Sequence, residues 1–269
     1  MTRDRLSARY IGTTPPPDAK AGAAGAVPLV LVHGFTQTGA SWSPVLNYLR
    51  ERAPTLPLAV PDAPGHGGSS SVAADLWQAA QLLSDVVDGP ASWAGYSMGA
   101  RMVLHLAFAR PDKVKRLVLI SGTAGIDDAG ERKARREHDE TLARKAENVG
   151  TAAFVREWLA QPLFSTLPPD MSGADDRLAN IPAGLASSLR LAGTGSQQPL
   201  WGRLGELGQA GLPVLVVAGS LDGRYLALAE RIAGSIGSTA RLAVVEGAGH
   251  ACHLERPAEV ATLLAEFCS

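Results

Sequence analysis

The chain has 269 residues, 46% of them hydrophobic, which is long enough to bury a full core within one main domain. Its formal net charge of -1 argues against nucleic acid or an anionic membrane surface as the main partner. The two cysteines exclude a disulfide framework and favour a reducing, cytoplasmic compartment. Residues 1–10 lack the apolar run of a signal peptide, and no segment approaches the roughly 20 apolar residues of a membrane helix, so we expect a soluble protein.

Short apolar runs alternate with helical patterns along the chain, which is typical of βαβ units that build a mostly parallel sheet. Each run is almost continuously apolar, as expected for strands that helices cover on both faces. The six predicted strands end at His33, Asp62, Ser97, Gly122, Asp222 and His250. Amphipathic helices are predicted at 41–52, 73–87, 99–110, 226–237 and 257–268. The predicted fold class is therefore α/β.

The alternation of strands and helices stops between residues 126 and 211. No strand-like run occurs there and helical patterns dominate, so we interpret 126–211 as a helical cap. The cap is inserted into a core domain formed by residues 1–125 and 212–269. Near the start, residues 13–26 are rich in Pro, Gly and Ala, and we expect them to form a mobile loop.

A G-x-S-x-G pentapeptide lies between a predicted strand and a predicted helix. Ser97 is its central residue, flanked by Gly95 and Gly99. In this context the pattern is typical of a nucleophile elbow, in which small neighbours permit a sharp turn and expose the serine hydroxyl at a helix N-terminus. A free hydroxyl is a poor nucleophile and a poor base, so a partner must activate it.

The partners of Ser97 are predicted at the ends of the last two strands. Asp222 follows one strand and His250 follows the next, which is the chain order serine, acid, histidine. In such a triad the imidazole exchanges a proton with the hydroxyl, and the carboxylate holds the imidazole tautomer and orientation. Asp127 and Asp128, just after the strand that ends at Gly122, are the alternative acids.

Negative charge that develops on a reacting oxygen needs two backbone N–H donors. One donor comes from the residue after the nucleophile and the other from the loop after an early strand. These positions are Met98 and Phe35.

His250, Cys252 and His253 stand close together near the end of the chain and could be mistaken for a metal cluster. The spacing lacks a second pair of ligands, and the triad already accounts for His250, so we expect neither a metal nor an organic cofactor.

The sheet motifs resemble the α/β-hydrolase superfamily over almost the whole chain. A narrower resemblance rests on Arg101 in the elbow helix and on segments 131–139, 158–164 and 177–201, which include the motifs GLASSLR, GTG and QPLW. These pieces resemble, in the same order, the 2-succinyl-6-hydroxy-2,4-cyclohexadiene-1-carboxylate synthases of menaquinone biosynthesis. Met98 and Ala100 depart from the leucine and glycine frequent in that family, which leaves the backbone donor in place but can alter the width of the pocket.

The resemblance implies a lyase rather than a hydrolase. Its substrate, 2-succinyl-5-enolpyruvyl-6-hydroxy-3-cyclohexene-1-carboxylate, would lose a ring proton and then pyruvate. The triad would act as a base without an acyl-enzyme: His250 raises the basicity of Ser97, and the N–H groups of Phe35 and Met98 hold the enolate oxygen.

That substrate carries three carboxylates, and arginine suits them through its planar fork of donors. Arg101 is the first candidate, because it lies four residues after Ser97 and hence on the same helix face. The resemblance implies that Arg135 and Arg177 of the cap supply the others. It also implies that Tyr96 and Trp158 line the cavity.

Two alternatives remain open at the level of the sequence. Arg132 or Arg136 could replace Arg135, because all three belong to one charged helical run. A serine hydrolase acting on an ester, thioester or carbon–carbon bond could use the same triad, because a fold does not determine the reaction. In either case the expected partner is a small molecule, and the number of arginines in the pocket discriminates between the two reactions.

Overall fold

The computed structural model describes residues 5–12 and 27–269. The expected loop at 13–26 therefore lies outside the described residues. Within them, seven strands form one sheet in the order β1-β3-β2-β4-β5-β6-β7. The strands are β1 (Ala8–Ile11), β2 (Leu29–Val32), β3 (Leu58–Pro61), β4 (Ala91–Tyr96), β5 (Val114–Ile120), β6 (Val214–Gly219) and β7 (Ala240–Val245).

The predicted mostly parallel sheet is confirmed, because every pairing from β2 to β7 is parallel. Strand β1 was not predicted; it is an edge strand that pairs antiparallel with β3. Its residues are only half-buried or exposed, so it lacks the continuous apolar run by which the other strands were found.

The sheet is flanked by helices that follow its strands in turn. They are α1 (Ser43–Arg52), α2 (Leu76–Ser84), α3 (Met98–Ala109), α4 (Ala129–Leu159), α5 (Ala174–Arg177), α6 (Pro182–Ala192), α7 (Leu204–Gln209), α8 (Gly223–Ile236), α9 (Cys252–Glu255) and α10 (Pro257–Cys268). Short 3-10 turns occupy Gly39–Trp42, Gly67–Ser69, Pro111–Lys113, Pro162–Phe164, Pro169–Met171 and Trp201–Arg203. No helix in this part of the chain is both long and apolar enough to span a bilayer.

The core consists of two apolar clusters, one on each face of the sheet. Strand β2 illustrates the division: Val30 and Val32 face one cluster, whereas Leu29 and Leu31 face the other. All four side chains are fully buried. Because alternate residues of a strand point to opposite faces, a strand covered on both sides must be apolar throughout.

The segment between β5 and β6 carries helices α4 to α7 and no strand. Helices α4 and α6 pack together through a third cluster, which contains Phe154, Leu185 and Leu189. Helix α4 is bent at Gly150, whose φ of 78° is in the left-handed region that favours glycine. The bend lets the two halves of α4 follow different directions over the sheet.

Candidate active site

The turn between β4 and α3 places Ser97 at the start of a helix. Its φ is 52° and its ψ is -104°, an unusual conformation for a residue with a side chain. Two close approaches of the backbone explain the flanking glycines: a Cβ on Gly95 would collide with the Gly99 carbonyl, and a Cβ on Gly99 would collide with the Val32 carbonyl. The turn is held by a hydrogen bond of 2.8 Å from the Ser97 N–H to the Ile120 carbonyl.

The structure brings the three predicted triad side chains together. The Ser97 hydroxyl oxygen lies 3.1 Å from His250 Nε2, and His250 Nδ1 lies 2.8 Å from an Asp222 carboxylate oxygen. The side chains of His250 and Asp222 are 1% and 8% exposed, so water competes little with these bonds. The geometry fits a neutral imidazole that donates from Nδ1 to Asp222 and accepts at Nε2.

The alternative acids lie elsewhere. Asp127 forms an ion pair of 2.6 Å with Arg231 on the surface, and Asp128 accepts a hydrogen bond from the Glu131 N–H at the start of α4. Neither carboxylate contacts His250, and the sequence alternative therefore finds no support in the geometry.

The loop after β2 is held by hydrogen bonds to both sides of the predicted donor, Phe35. The Gly34 N–H donates to the Gln37 side chain at 2.9 Å, and His33 Nδ1 donates to the Gly34 carbonyl at 2.8 Å. Thr36, which has a φ of 66°, donates its N–H to His66 Nε2 at 3.3 Å. The N–H groups of Phe35 and Met98 themselves donate to no described residue, so both remain open for a ligand oxygen.

Two buried histidines support this loop in the neutral form. Burial lowers the pKa of His33 to about 4 and that of His66 to about 3. Each accepts a backbone N–H at Nε2, from Ala63 to His33 at 2.9 Å and from Thr36 to His66. A proton on either Nε2 would replace an acceptor by a donor and break that contact.

The predicted ligand Arg177 lies behind the loop instead of in the cavity. It is 1% exposed, donates to the Thr36 hydroxyl, and donates to the Ser172 carbonyl at 3.0 Å. Asn180, one turn further, donates to the Thr36 carbonyl at 2.7 Å. Burial lowers the pKa of Arg177 to about 10, which leaves the guanidinium protonated at neutral pH. Arg177 thus ties α5 to the loop that carries Phe35.

A cavity opens above Ser97 between the sheet and the inserted helices. The predicted residues that line it are Phe35, Ser97, Met98, Arg101, Arg135 and Trp158. Polar residues that the sequence did not single out also line it, namely Thr123, His138, Gln161, Ser188, Thr194, Arg224 and Tyr225. No aspartate or glutamate is among the described lining residues. The cavity wall is therefore cationic.

Two of the cavity arginines are fixed by the protein while keeping donors open. Arg101 is 6% exposed and donates from one terminal nitrogen to the Ala192 carbonyl at 2.6 Å. Burial lowers its pKa to about 10. Arg135 donates from Nε to Asp139 at 2.8 Å, and its terminal nitrogens bond to no described residue. Asp139 is 1% exposed and also accepts the Gly195 N–H at 3.1 Å, so it serves as an anchor.

The sequence alternatives to Arg135 point elsewhere. Arg132 donates to the Ile126 and Asp127 carbonyls at 2.7 and 2.8 Å, and Arg136 lines a separate surface groove. Only Arg135 of the three reaches the cavity, because it lies on the face of α4 that also presents His138 and Leu142.

The two predicted aromatic residues are placed differently. Trp158 lines the cavity, and its Nε1 is buried without a hydrogen-bond acceptor. Tyr96 is 3% exposed and lies behind the triad, with its ring centroid 5.4 Å from that of His250 and 4.0 Å from that of His253. As the last residue of β4, Tyr96 points into the sheet cluster, whereas the cavity lies beyond Ser97.

The two residues near His250 that could be mistaken for metal ligands, Cys252 and His253, are buried in separate contacts. His253 Nε2 lies 3.1 Å from the Gln37 side-chain nitrogen, and burial holds the pKa of His253 well below its ordinary value. Burial raises the pKa of the Cys252 thiol to about 12. No group of three potential metal ligands occurs within residues 5–12 and 27–269.

A model of the alpha/beta hydrolase family matches residues 29–263. The chain belongs to this family. A Bacillus subtilis (strain 168) protein that is provisionally named 2-succinyl-6-hydroxy-2,4-cyclohexadiene-1-carboxylate synthase is 33% identical over 252 residues, covering 89% of each chain. The synthase of that name from Enterobacter sp. (strain 638) is 31% identical over 92% of this chain and 94% of its own. The structure of MenH from S. aureus superposes with a TM-score of 0.84, at 25% identity over 97% of both chains.

Proposed function

We propose that this enzyme converts 2-succinyl-5-enolpyruvyl-6-hydroxy-3-cyclohexene-1-carboxylate to 2-succinyl-6-hydroxy-2,4-cyclohexadiene-1-carboxylate and pyruvate in menaquinone biosynthesis. The names of the most similar relatives support the reaction. The observation that carries it for this chain is the cavity above Ser97, whose described lining has three arginines and no carboxylate. Such a wall suits a substrate with three carboxylates.

Ser97 and His250 would act together as the base. As the Ser97 oxygen takes the proton α to the succinyl carbonyl, its own proton moves to His250 Nε2, and Asp222 stabilises the imidazolium that forms. The electrons of the broken C–H bond move into an enolate. They then form the new ring double bond as the C–O bond to the enolpyruvyl group breaks. The imidazolium proton goes to the departing enolate of pyruvate.

The enolate oxygen would be held by the N–H groups of Phe35 and Met98. Both groups lack an acceptor among the described residues, so they need no rearrangement to meet the developing charge. The loop of Phe35 is fixed on both sides by His33, His66 and Arg177, which keeps that donor in place. The triad needs no metal or organic cofactor for this chemistry.

Recognition would come from the cationic wall. Arg101 stands on the helix of Ser97, and Arg135 reaches in from α4; both keep nitrogens free for a carboxylate. Trp158 presents a buried Nε1 that has no acceptor in the part of the chain that the structure describes, which suits it to an oxygen of the substrate. Arg177 would add positive potential from behind the loop, and Tyr96 would support the imidazole.

We also propose that residues 126–211 form the cap, since this segment supplies Arg135, Trp158 and Leu189 to the cavity. The boundary at 211 places α7 in the cap, although α7 packs Leu204 and Leu207 into a cluster on the sheet. A reducing, cytoplasmic location fits Cys252 and Cys268, which are both buried and unpaired.

The second candidate is a serine hydrolase, because the same triad supports acyl transfer. An enzyme for neutral esters needs an apolar cap pocket with few polar groups. The cavity instead buries Arg101 and orients Arg135 through Asp139, at a cost in desolvation that a neutral substrate would not offset. The cationic wall therefore favours the lyase.

The deciding experiment is a coupled assay. The enolpyruvyl substrate is generated in place from isochorismate and 2-oxoglutarate by the preceding enzyme of the pathway, and pyruvate is followed with lactate dehydrogenase. We expect the protein to accelerate pyruvate release far above the spontaneous rate, and Ser97→Ala not to do so. Pyruvate release at the blank rate together with rapid cleavage of a p-nitrophenyl ester would establish the hydrolase instead.

A further inference from the structure

We propose that Arg224, near the start of α8, binds a carboxylate of the substrate in the cavity above Ser97. This inference deepens the function proposed above and rests on it. It assigns a binding role to a residue that the sequence motifs did not single out. With Arg101 and Arg135, it completes a set of three cations.

Arg224 is held at the cavity by its neighbours in the chain. Helix α8 begins at Gly223, and the preceding Asp222 accepts hydrogen bonds from His250 at 2.8 Å and from the Tyr225 N–H at 3.2 Å. The Tyr225 ring centroid lies 4.3 Å from that of His250. Arg224 therefore stands between the acid that orients the imidazole and a ring that packs on it, and it lines the cavity with Tyr225.

Arg224 also marks the edge of the cationic wall. A second, outer groove adjoins the cavity, and Thr123, Thr194, Arg224 and Tyr225 line both. The other charged residues of that groove are Asp127, Asp128, Glu131 and Arg231. A carboxylate is disfavoured near those acids and favoured at the cavity. Arg224 is the cation at the boundary between the acidic outer groove and the cationic cavity.

The donors of Arg224 are uncommitted. Its guanidinium has no hydrogen bond or ion pair with a described residue, and its one recorded contact is with the Tyr225 ring, 6.0 Å from the guanidinium carbon to the ring centroid. Arg231 on the same helix is held more firmly: it pairs with Asp127 at 2.6 Å and stacks 3.7 Å above the Trp201 ring centroid. Arg231 thus stabilises the fold, whereas the guanidinium of Arg224 is available to a ligand.

The number of carboxylates supports the assignment. The proposed substrate carries three, whereas Arg177, which the resemblance offers as the third ligand, donates to Thr36 and Ser172 behind the loop and does not line the cavity. Within the described lining of the cavity, Arg101, Arg135 and Arg224 are the three arginines. A guanidinium whose donors are all open can bind a carboxylate through two parallel bonds.

The test uses the full-length protein in the coupled pyruvate assay, with variants Arg224→Gln and Arg224→Lys and with Arg231→Gln as the matched control. Because Arg224 is exposed at the rim, we expect Arg224→Gln to raise KM about tenfold with kcat within about twofold. Arg224→Lys should recover part of the loss, since it restores the charge without the fork.

The possible outcomes separate this inference from the function on which it rests. An active wild type whose KM is unchanged by Arg224→Gln overturns the role of Arg224 alone. A similar rise in KM for Arg231→Gln overturns it as well, because that rise indicates a general disturbance of α8. A wild type that does not accelerate pyruvate release overturns both proposals.

Discussion

The two walls of the cavity differ in how their polar side chains are bonded to the rest of the protein. On the sheet side, Ser97, His250 and Asp222 are joined by hydrogen bonds of 3.1 and 2.8 Å, and the loop of Phe35 is bonded on both flanks. On the side of the inserted helices, Trp158 Nε1 and the terminal nitrogens of Arg135 have no partner among the described residues. The sheet-side wall therefore has its reacting side chains bonded to one another before substrate arrives, whereas these polar groups of the other wall wait for the substrate.

Removing the Ser97 hydroxyl should have the largest effect. With no oxygen to carry the proton between the substrate and His250, we expect Ser97→Ala to lower kcat by a factor of about 10³ or more while the protein stays folded. The measurement is pyruvate release under saturating substrate, and Ser235→Ala on the exposed face of α8 is the control. Turnover close to wild type in Ser97→Ala would contradict the catalytic role given to the triad on the sheet side.

A substitution of Arg177 tests whether the inserted segment also holds the loop of Phe35 on the sheet side. Its bond to Thr36 predicts that Arg177→Met loosens the Phe35 donor and lowers kcat about 100-fold, as the loss of an oxyanion contact does. The complete kcat and KM values are needed, with circular dichroism to exclude unfolding. A rise in KM with kcat preserved would instead support direct binding of a carboxylate, as the resemblance implies.

Much of the sheet side could be predicted because it depends on local sequence. The elbow is a strand, a turn and a helix within a few residues, and the acid and histidine each follow a strand whose apolar run is plain. Parallel strands bring their carboxyl ends to one edge, so Ser97, Asp222 and His250 had to lie close together. The half-buried β1 strand lacked that apolar signal.

The side chains of the inserted helices could be predicted only in part. Arg135, Arg132 and Arg136 occupy one charged run, and which of them faces the cavity depends on how α4 is rotated against α6. Arg177 lies behind the loop for the same reason: the sequence shows a charge but not what the helix packs against. The sequence assigned no role to Arg224 on α8, because its lack of a hydrogen-bond or ion-pair partner among the described residues is visible only in three dimensions.

Trp158 offers a smaller test on the side of the inserted helices. Trp158→Phe keeps an aromatic ring against Phe35, whose centroid lies 4.9 Å away, but removes the unpartnered Nε1–H. We expect KM to rise about fivefold with little change in kcat, since the net contribution of a typical hydrogen bond is about 1 kcal/mol. Steady-state kinetics of pyruvate release measure both constants. An unchanged KM would show that Nε1 does not contact the substrate.

Four buried histidines with lowered pKa values make the stability of the protein depend on pH. His33 and His66 are buried behind the sheet-side loop with their pKa values lowered to about 4 and about 3, whereas His138 on α4 is exposed. Burial also lowers the pKa of His105 to about 4 and that of His253 well below its ordinary value. Below pH 6.5, therefore, the unfolded chain binds protons that the folded protein does not, and stability must fall as the pH is lowered.

Between pH 6.5 and 5.5 each of these four histidines should cost about 1 kcal/mol of unfolding free energy. His66→Asn removes one such group, so we expect the stability of this variant to fall less steeply over this interval. At pH 7.5 the variant should be less stable than the wild type, because it lacks the acceptor for the Thr36 N–H. Urea unfolding at several pH values measures the slope, and His138→Gln is the control. If His66→Asn and His138→Gln keep the same slope as the wild type, the loop does not depend on a neutral His66, and the sheet-side wall is less firmly organised than its hydrogen bonds indicate.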